Sequence, residues 1–91
     1  MDAKRLREFR NMRFRIMFKG QVRIQGTEEY KNMSAEFLQF VSSIDNQLQK
    51  DVVMLYYYHA KSNIAISEQL NYSETHIKRA KHKAVFGEEG E

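Results

Sequence analysis

The stretch SNIAISEQLNYSETHIKRAKHKA, Ser62 to Ala84, decides how this chain is read. It opens on a serine whose hydroxyl can accept from the first amides of a helix. Ile66 and Leu70 follow four residues apart, on one helical face. Asn71 then stands where the chain must turn, because asparagine tolerates the left-handed backbone that ends a helix. Ser73 repeats the capping signal, and Glu74 puts a carboxylate in the first turn of the next helix, where the dipole favours it. On a 3.6-residue wheel Ile77, Ala80 and Ala84 point one way, Thr75, Lys78, Arg79 and His82 point the other, and Lys81 falls at the margin. The pattern predicts a short helix at 63–70, a tight turn, and a helix running to about Val85 with a cationic outer face. Each piece follows from packing alone. Together they are the parts of a helix-turn-helix, whose second helix lies in the DNA major groove while the first braces it.

Upstream, a helix from about Asp45 or Asn46 to His59 carries Leu48, Val52, Leu55, Tyr56 and His59 on one face. Val53, Met54, Tyr57 and Tyr58 leave its other sides apolar too, as expected for a helix covered on several sides. Before it, Thr27 caps a helix with Glu28 and Glu29 in its first turn and an apolar stripe of Tyr30, Met33, Phe37, Phe40, Val41 and Ile44. Residues 1–26 read two ways. Leu6, Phe9, Met12, Ile16 and Met17 make a helical stripe over about 2–18, leaving 19–26 as a linker. Phe14, Ile16 and Phe18, then Val22 and Ile24, alternate as a hairpin would. The longer periodicity favours the helix.

The sequence has no proline and no cysteine, and two of its four glycines lie near the end. The expected fold is all-α: a small bundle of about four to five helices with a C-terminal helix-turn-helix. Residues 1–26 would form a basic helix and linker, 27–86 a helical domain with the motif at 62–85, and 87–91 an acidic disordered tail. Whether the basic helix is an appendage or part of one domain stays open at this length. Without cysteine there is no disulfide, thiolate metal site or cysteine nucleophile. Eight Lys or Arg fall within residues 1–26, no long apolar run exists, and a soluble cytoplasmic protein is expected.

The formal charge of +3 conceals segregation: residues 1–26 and 61–85 are basic, and 27–60 and 86–91 are acidic. Two basic blocks suit a polyanion such as nucleic acid, although a solvated basic surface would look the same. His59, His76 and His82 lack metal-ligand spacing and a companion carboxylate cluster. No glycine-rich loop or strained turn presents a nucleophile or a phosphate cradle, so no enzyme and no cofactor are expected. Three consecutive tyrosines on a helix face three directions, which suits packing better than stacking on single-stranded bases.

Residues 45–86, above all Asn63 to Leu70, Asn71 to Ala80 and Lys83-Ala84, resemble region four of bacterial sigma factors. They are more similar to the region-four-like domains of small phage late-transcription activators of the ArpU and RinA type. Ile66, Ser67, Leu70, Tyr72, Ser73, Ile77 and Ala84 match that family's core and capping positions. The resemblance implies a DNA-binding transcription regulator of phage or mobile-element origin. Its recognition helix, 74–85, would meet double-stranded DNA through Glu74, Thr75, His76, Lys78 and Arg79. Glu74 would accept from cytosine, Arg79 donate to guanine and Thr75 touch a thymine methyl. Lys78, Lys81, His82 and Lys83 would neutralise phosphates, with Lys61 and Ser62 at the backbone. Asn63 stands where the family has an apolar residue, Ile64-Ala65 replace an acidic pair, and Lys81 replaces a leucine.

A second reading keeps the fold but makes it an interaction module that binds RNA polymerase or another regulator without reading DNA. Its motives are an aromatic surface around Tyr57 and Tyr58, the acidic segments and Asn63. The arginine-rich start could contact phosphate, dock a protein or pair two copies in a homodimer; membrane association is the least favoured use, because Phe14 and Phe18 suit a protein partner or core completion.

Overall fold

The computed structural model describes residues 1–87, and these form an all-helical bundle. Helix α1 spans Ala3–Lys19, α2 Glu28–Ser42, α3 Gln47–Val53, α4 Asn63–Leu70 and α5 Glu74–Phe86. Each begins at a residue that caps it. The side chains of Asp2, Thr27, Asn46, Ser62 and Ser73 accept from the amides of Arg5, Tyr30, Gln49, Ala65 and His76, satisfying donors that would otherwise lack partners.

The basic helix is therefore present and the hairpin is not. It ends at Gly20, whose φ of 67° is the left-handed conformation. A Cβ there would meet nothing within 4 Å, so the backbone angle alone calls for glycine. The segment read as a linker is instead organised: Val22–Gly26 form a 3₁₀ turn. Thr27 closes it with its hydroxyl, which donates to the Ile24 carbonyl at 2.8 Å and accepts from the Tyr30 amide at 3.2 Å.

Two apolar clusters hold the bundle together. The larger joins Leu6, Phe9 and Ile16 of α1 with Tyr30, Met33, Phe37 and Val41 of α2, and Val53 and Tyr57 close it from α3 and the turn beyond. Phe9 is fully buried, its ring 4.8 Å from that of Phe37. The smaller consists of Val52, Ile66, Ile77 and Ala80, edged by Leu48, Leu55, Tyr56 and Leu70. Adjacent Val52 and Val53 thus enter different clusters, which is why α3 had to be apolar on several sides. Because α1 supplies three residues of the larger cluster, it belongs to the same packed body rather than hanging from it. Met17, read as part of its inward stripe, is 41% exposed.

Beyond Val53 the helix widens into a π-helical turn, Met54–Tyr58, closed by the His59 amide on the Met54 carbonyl at 3.1 Å. The chain reverses at Ala60, buried and at φ 56°, with the Lys61 amide returning to the Leu55 carbonyl. A helix end leaves carbonyls without partners, and here two arginines of α1 supply them. Arg10 donates to the Tyr56 and Lys61 carbonyls at 2.9 and 3.1 Å. Arg13 donates to the Tyr58 carbonyl at 2.7 Å and to the Tyr30 hydroxyl at 3.0 Å. Their guanidinium carbons lie 4.1 and 3.8 Å from the ring centres of Tyr56 and Tyr58, within cation–π range.

At the other end Gly87 caps α5, its amide on the Lys83 carbonyl at 2.8 Å, and so belongs to the helix terminus rather than to the expected tail. The rest of that tail, 88–91, lies outside the described residues. No helix among the described residues is long and apolar enough to cross a membrane.

Candidate nucleic-acid interface

The helix pair α4–α5 is built from the signals in its sequence. Ser62 Oγ accepts from the Ala65 amide at 3.1 Å, fixing the start of α4. Asn71 ends it at φ 62°, ψ 41°, with its own amide and that of Tyr72 turned back to the Ser67 carbonyl. Only Tyr72 and Ser73 separate this residue from α5, whose first turn is fixed by the Ser73 hydroxyl on the His76 amide at 3.1 Å. Ile66 and Ile77 are fully buried together, and small Ala80 lets α5 approach α3 closely. Ala84 does not join them: it packs with Val85 against the larger cluster. Helix α5 thereby bridges both.

Its opposite side carries Thr75, His76, Lys78, Arg79 and His82, all exposed. Glu74 is half-buried and lies 3.7 Å from Lys78, a helical i,i+4 pair that is weak at such a surface. The His76 ring stacks on Tyr72 at 4.7 Å and 9°, which holds the imidazole against the turn, and His82 meets Phe86 at the same centroid distance. Lys83, half-buried, lines with His76 and Arg79 a cleft of about 140 Å³ against Asn46, Leu48 and Gln49 at the start of α3. Asn46 and Gln49 were not among the sequence candidates. Ser62 is exposed and Lys61 half-buried beside it, with the Lys61 carbonyl held by Arg10. A larger cleft of about 690 Å³ is lined by Met1, Asp2, Arg5 and residues of α2 and its C-cap, and includes none of the candidate residues.

One candidate is displaced. Lys81, expected at a phosphate, turns inward between α4 and the π turn. Its ammonium donates to Asn63 Oδ1 at 2.9 Å and sits 3.4 Å from the centre of the Tyr56 ring. Burial, with Arg10 and Lys78 nearby, pushes its pKa down to about 8; the aromatic ring and the amide oxygen favour the charged form. Asn63 and Lys81, two of the positions noted above as off the expected pattern, are therefore each other's partners.

The aromatic surface expected around Tyr57 and Tyr58 is largely covered. Tyr57 is buried in the larger cluster, where desolvation pushes its phenol pKa up, and Tyr58 lies under the Arg13 guanidinium. Sequence reasoning also missed Arg10 and Arg13. Arg13 did leave a signal: it falls between Phe9 and Ile16 at i+4 and i−3, a core position on the stripe. Among the described residues no group of three or more His, Asp or Glu side chains could hold a metal ion.

Among the described residues, fold and site together define a helix-turn-helix embedded in a bundle of five α-helices, with a cationic, solvent-facing second helix. No protein-family model matches the chain, and no curated protein or solved structure matches it either.

Proposed function

We propose that the chain is a sequence-specific DNA-binding transcription regulator, similar to sigma region four and of phage or mobile-element type, that acts on RNA polymerase. Helix α5 enters the major groove and α4 braces it across the backbone. The observation that carries this reading is the division of α5: Ile77 and Ala80 are locked into the smaller cluster while Thr75, His76, Lys78, Arg79 and His82 all face solvent on one side. Arg79, beside the start of α3, suits a guanine edge, and Thr75 a thymine methyl. Glu74 suits a cytosine amino group once its exposed contact with Lys78 opens. Lys61, Lys78 and Lys83 serve phosphates, with Ser62 at the backbone. Lys81 leaves the phosphate set because its ammonium is engaged within the fold.

The test is fluorescence anisotropy with DNA fragments from the gene's own neighbourhood at two salt concentrations. With Lys61, Lys78 and Lys83 each neutralising one phosphate, log K falls with log salt at a slope of about −2.7. Lys78→Ala/Arg79→Ala should cost on the order of 1–3 kcal/mol for a lost base contact and flatten the slope. Unchanged affinity in that variant refutes the docking. Of the motives for the interaction-module alternative, the burial of Tyr57 and the pairing of Asn63 weaken two, and the acidic segments remain.

A further inference from the structure

The DNA reading leaves one side of α1 without a role. Leu6, Phe9 and Ile16 already give this helix a complete buried face, yet Phe14, Met17 and Phe18 form a second apolar stripe at i, i+3 and i+4. They are 39%, 41% and 60% exposed, and Val22, just beyond the Gly20 turn, is 60% exposed. The Phe14 and Phe18 rings lie 5.0 Å apart and pack on each other. Single exposed apolar residues are ordinary, but a group of aromatics on one helix face marks a surface that something covers.

The charge around the stripe indicates what. Arg7, Arg15, Lys19 and Arg23 are exposed, and no Asp or Glu occurs between Phe9 and Thr27. Among the described residues the ion pairs are Arg5 with Glu36 and Lys78 with Glu74, so these four cations meet no carboxylate there. We infer that this face docks an acidic amphipathic segment of a protein partner. Its apolar side chains cover Phe14, Phe18 and Val22, and its carboxylates meet the basic rim. A second copy of the chain is disfavoured, because a two-fold contact would lay the basic rim on itself. The chain's own terminal GEEGE supplies carboxylates but no apolar anchor.

The probe is a fluorescein-labelled amphipathic peptide of about five helical turns, with Leu and Phe at helical spacing and Glu on its flanks. The same peptide with Lys for Glu and phosphatidylglycerol vesicles are run beside it. The acidic peptide should bind at least about ten-fold more tightly than the basic one, or about 1.4 kcal/mol. Phe14→Ser/Phe18→Ser and Lys19→Glu/Arg23→Glu should each weaken it about ten-fold or more with thermal unfolding unchanged. Lys78→Ala/Arg79→Ala should leave peptide binding intact, so this inference and the DNA reading stand or fall separately. Equal binding of both peptides, loss of binding only in the α5 variant, preference for the vesicles, or a dimer dispersed by Phe18→Ser would each overturn it.

Discussion

Replacing Arg13 with alanine should destabilise the protein more than any single change on the exposed face of α5. Arg13 is 8% exposed, its Nε donates to the Tyr58 carbonyl at 2.7 Å, Nη1 to the Tyr30 hydroxyl at 3.0 Å, and its guanidinium covers the Tyr58 ring at 3.8 Å. Hydrogen bonds from a charged donor contribute roughly 1.5–3 kcal/mol each, and a desolvated cation–π contact adds about 1. Against this stands the cost of burying a guanidinium with no carboxylate beside it, which the mutation relieves. Half-buried Tyr58 can recover water for part of its loss; the buried Tyr30 hydroxyl cannot. The net cost should be about 2–4 kcal/mol, and about half of that for Arg13→Lys, whose single ammonium cannot serve both acceptors in the fork geometry. Urea denaturation with unchanged m measures it, and a loss of 3 kcal/mol lowers Tm by roughly 12–24 °C in a domain this small. An Arg13→Ala protein as stable as the parent but weaker on DNA would refute the inward assignment and put this arginine at a phosphate.

Lys81 makes stability depend on alkaline pH. Its folded pKa is about 8 against 10.5 when free, so between those values the unfolded chain binds more protons and stability should rise with pH, up to about pH 10 where buried Tyr57 begins to favour the opposite trend for the denatured phenolate. Urea denaturation from pH 7 to 10 should show this slope in the parent and lose it in Lys81→Met; identical slopes would contradict it. Asn71→Ala should cost about 1 kcal/mol because its φ of 62° is left-handed, while Asn71→Gly should stay near the parent. Equal losses in both would assign the effect to the side chain rather than the backbone.

The elements that could be read from the sequence are those whose signals are local. Thr27, Ser62, Asn71 and Ser73 cap or end helices through contacts three or four residues away, and the stripe from Tyr30 to Val41 on α2, with Ile44 just past its end, lies inward with Phe40 at its edge. What stayed hidden depends on partners far along the chain. Arg13 is core because Tyr58 is forty-five residues away, and Lys81 turns inward because Asn63, eighteen residues back, waits for it. A wheel puts Lys81 at the margin, where either outcome has the same local pattern. The π turn also had no local signature: Met54 to Tyr58 reads as ordinary helix, and the widening shows at its end in the Met54 carbonyl, which accepts from the His59 amide five residues on.

These hidden contacts change what the charge segregation means. Of the eight cations in residues 1–26, Arg10 and Arg13 satisfy backbone carbonyls of the π turn and Arg5 pairs with Glu36 at 2.8 Å, so three are engaged within the fold while Lys4, Arg7, Arg15, Lys19 and Arg23 stay exposed. In the C-terminal block Lys81 is likewise engaged. Arg10 and Lys81 both contact the Tyr56 ring, at 4.1 and 3.4 Å, so one aromatic side chain ties α1 to α5. The consequence is mechanical as well as electrostatic. Helix α5 packs on α3 and α4 and is linked to α1 through Tyr56, so a partner seated on the Phe14–Phe18 stripe would act on the same packed body. Counting lysines and arginines overstates the free positive charge, and if α5 docks as proposed, Lys78 and Lys83 with Lys61 beside α4 should set the salt dependence on DNA.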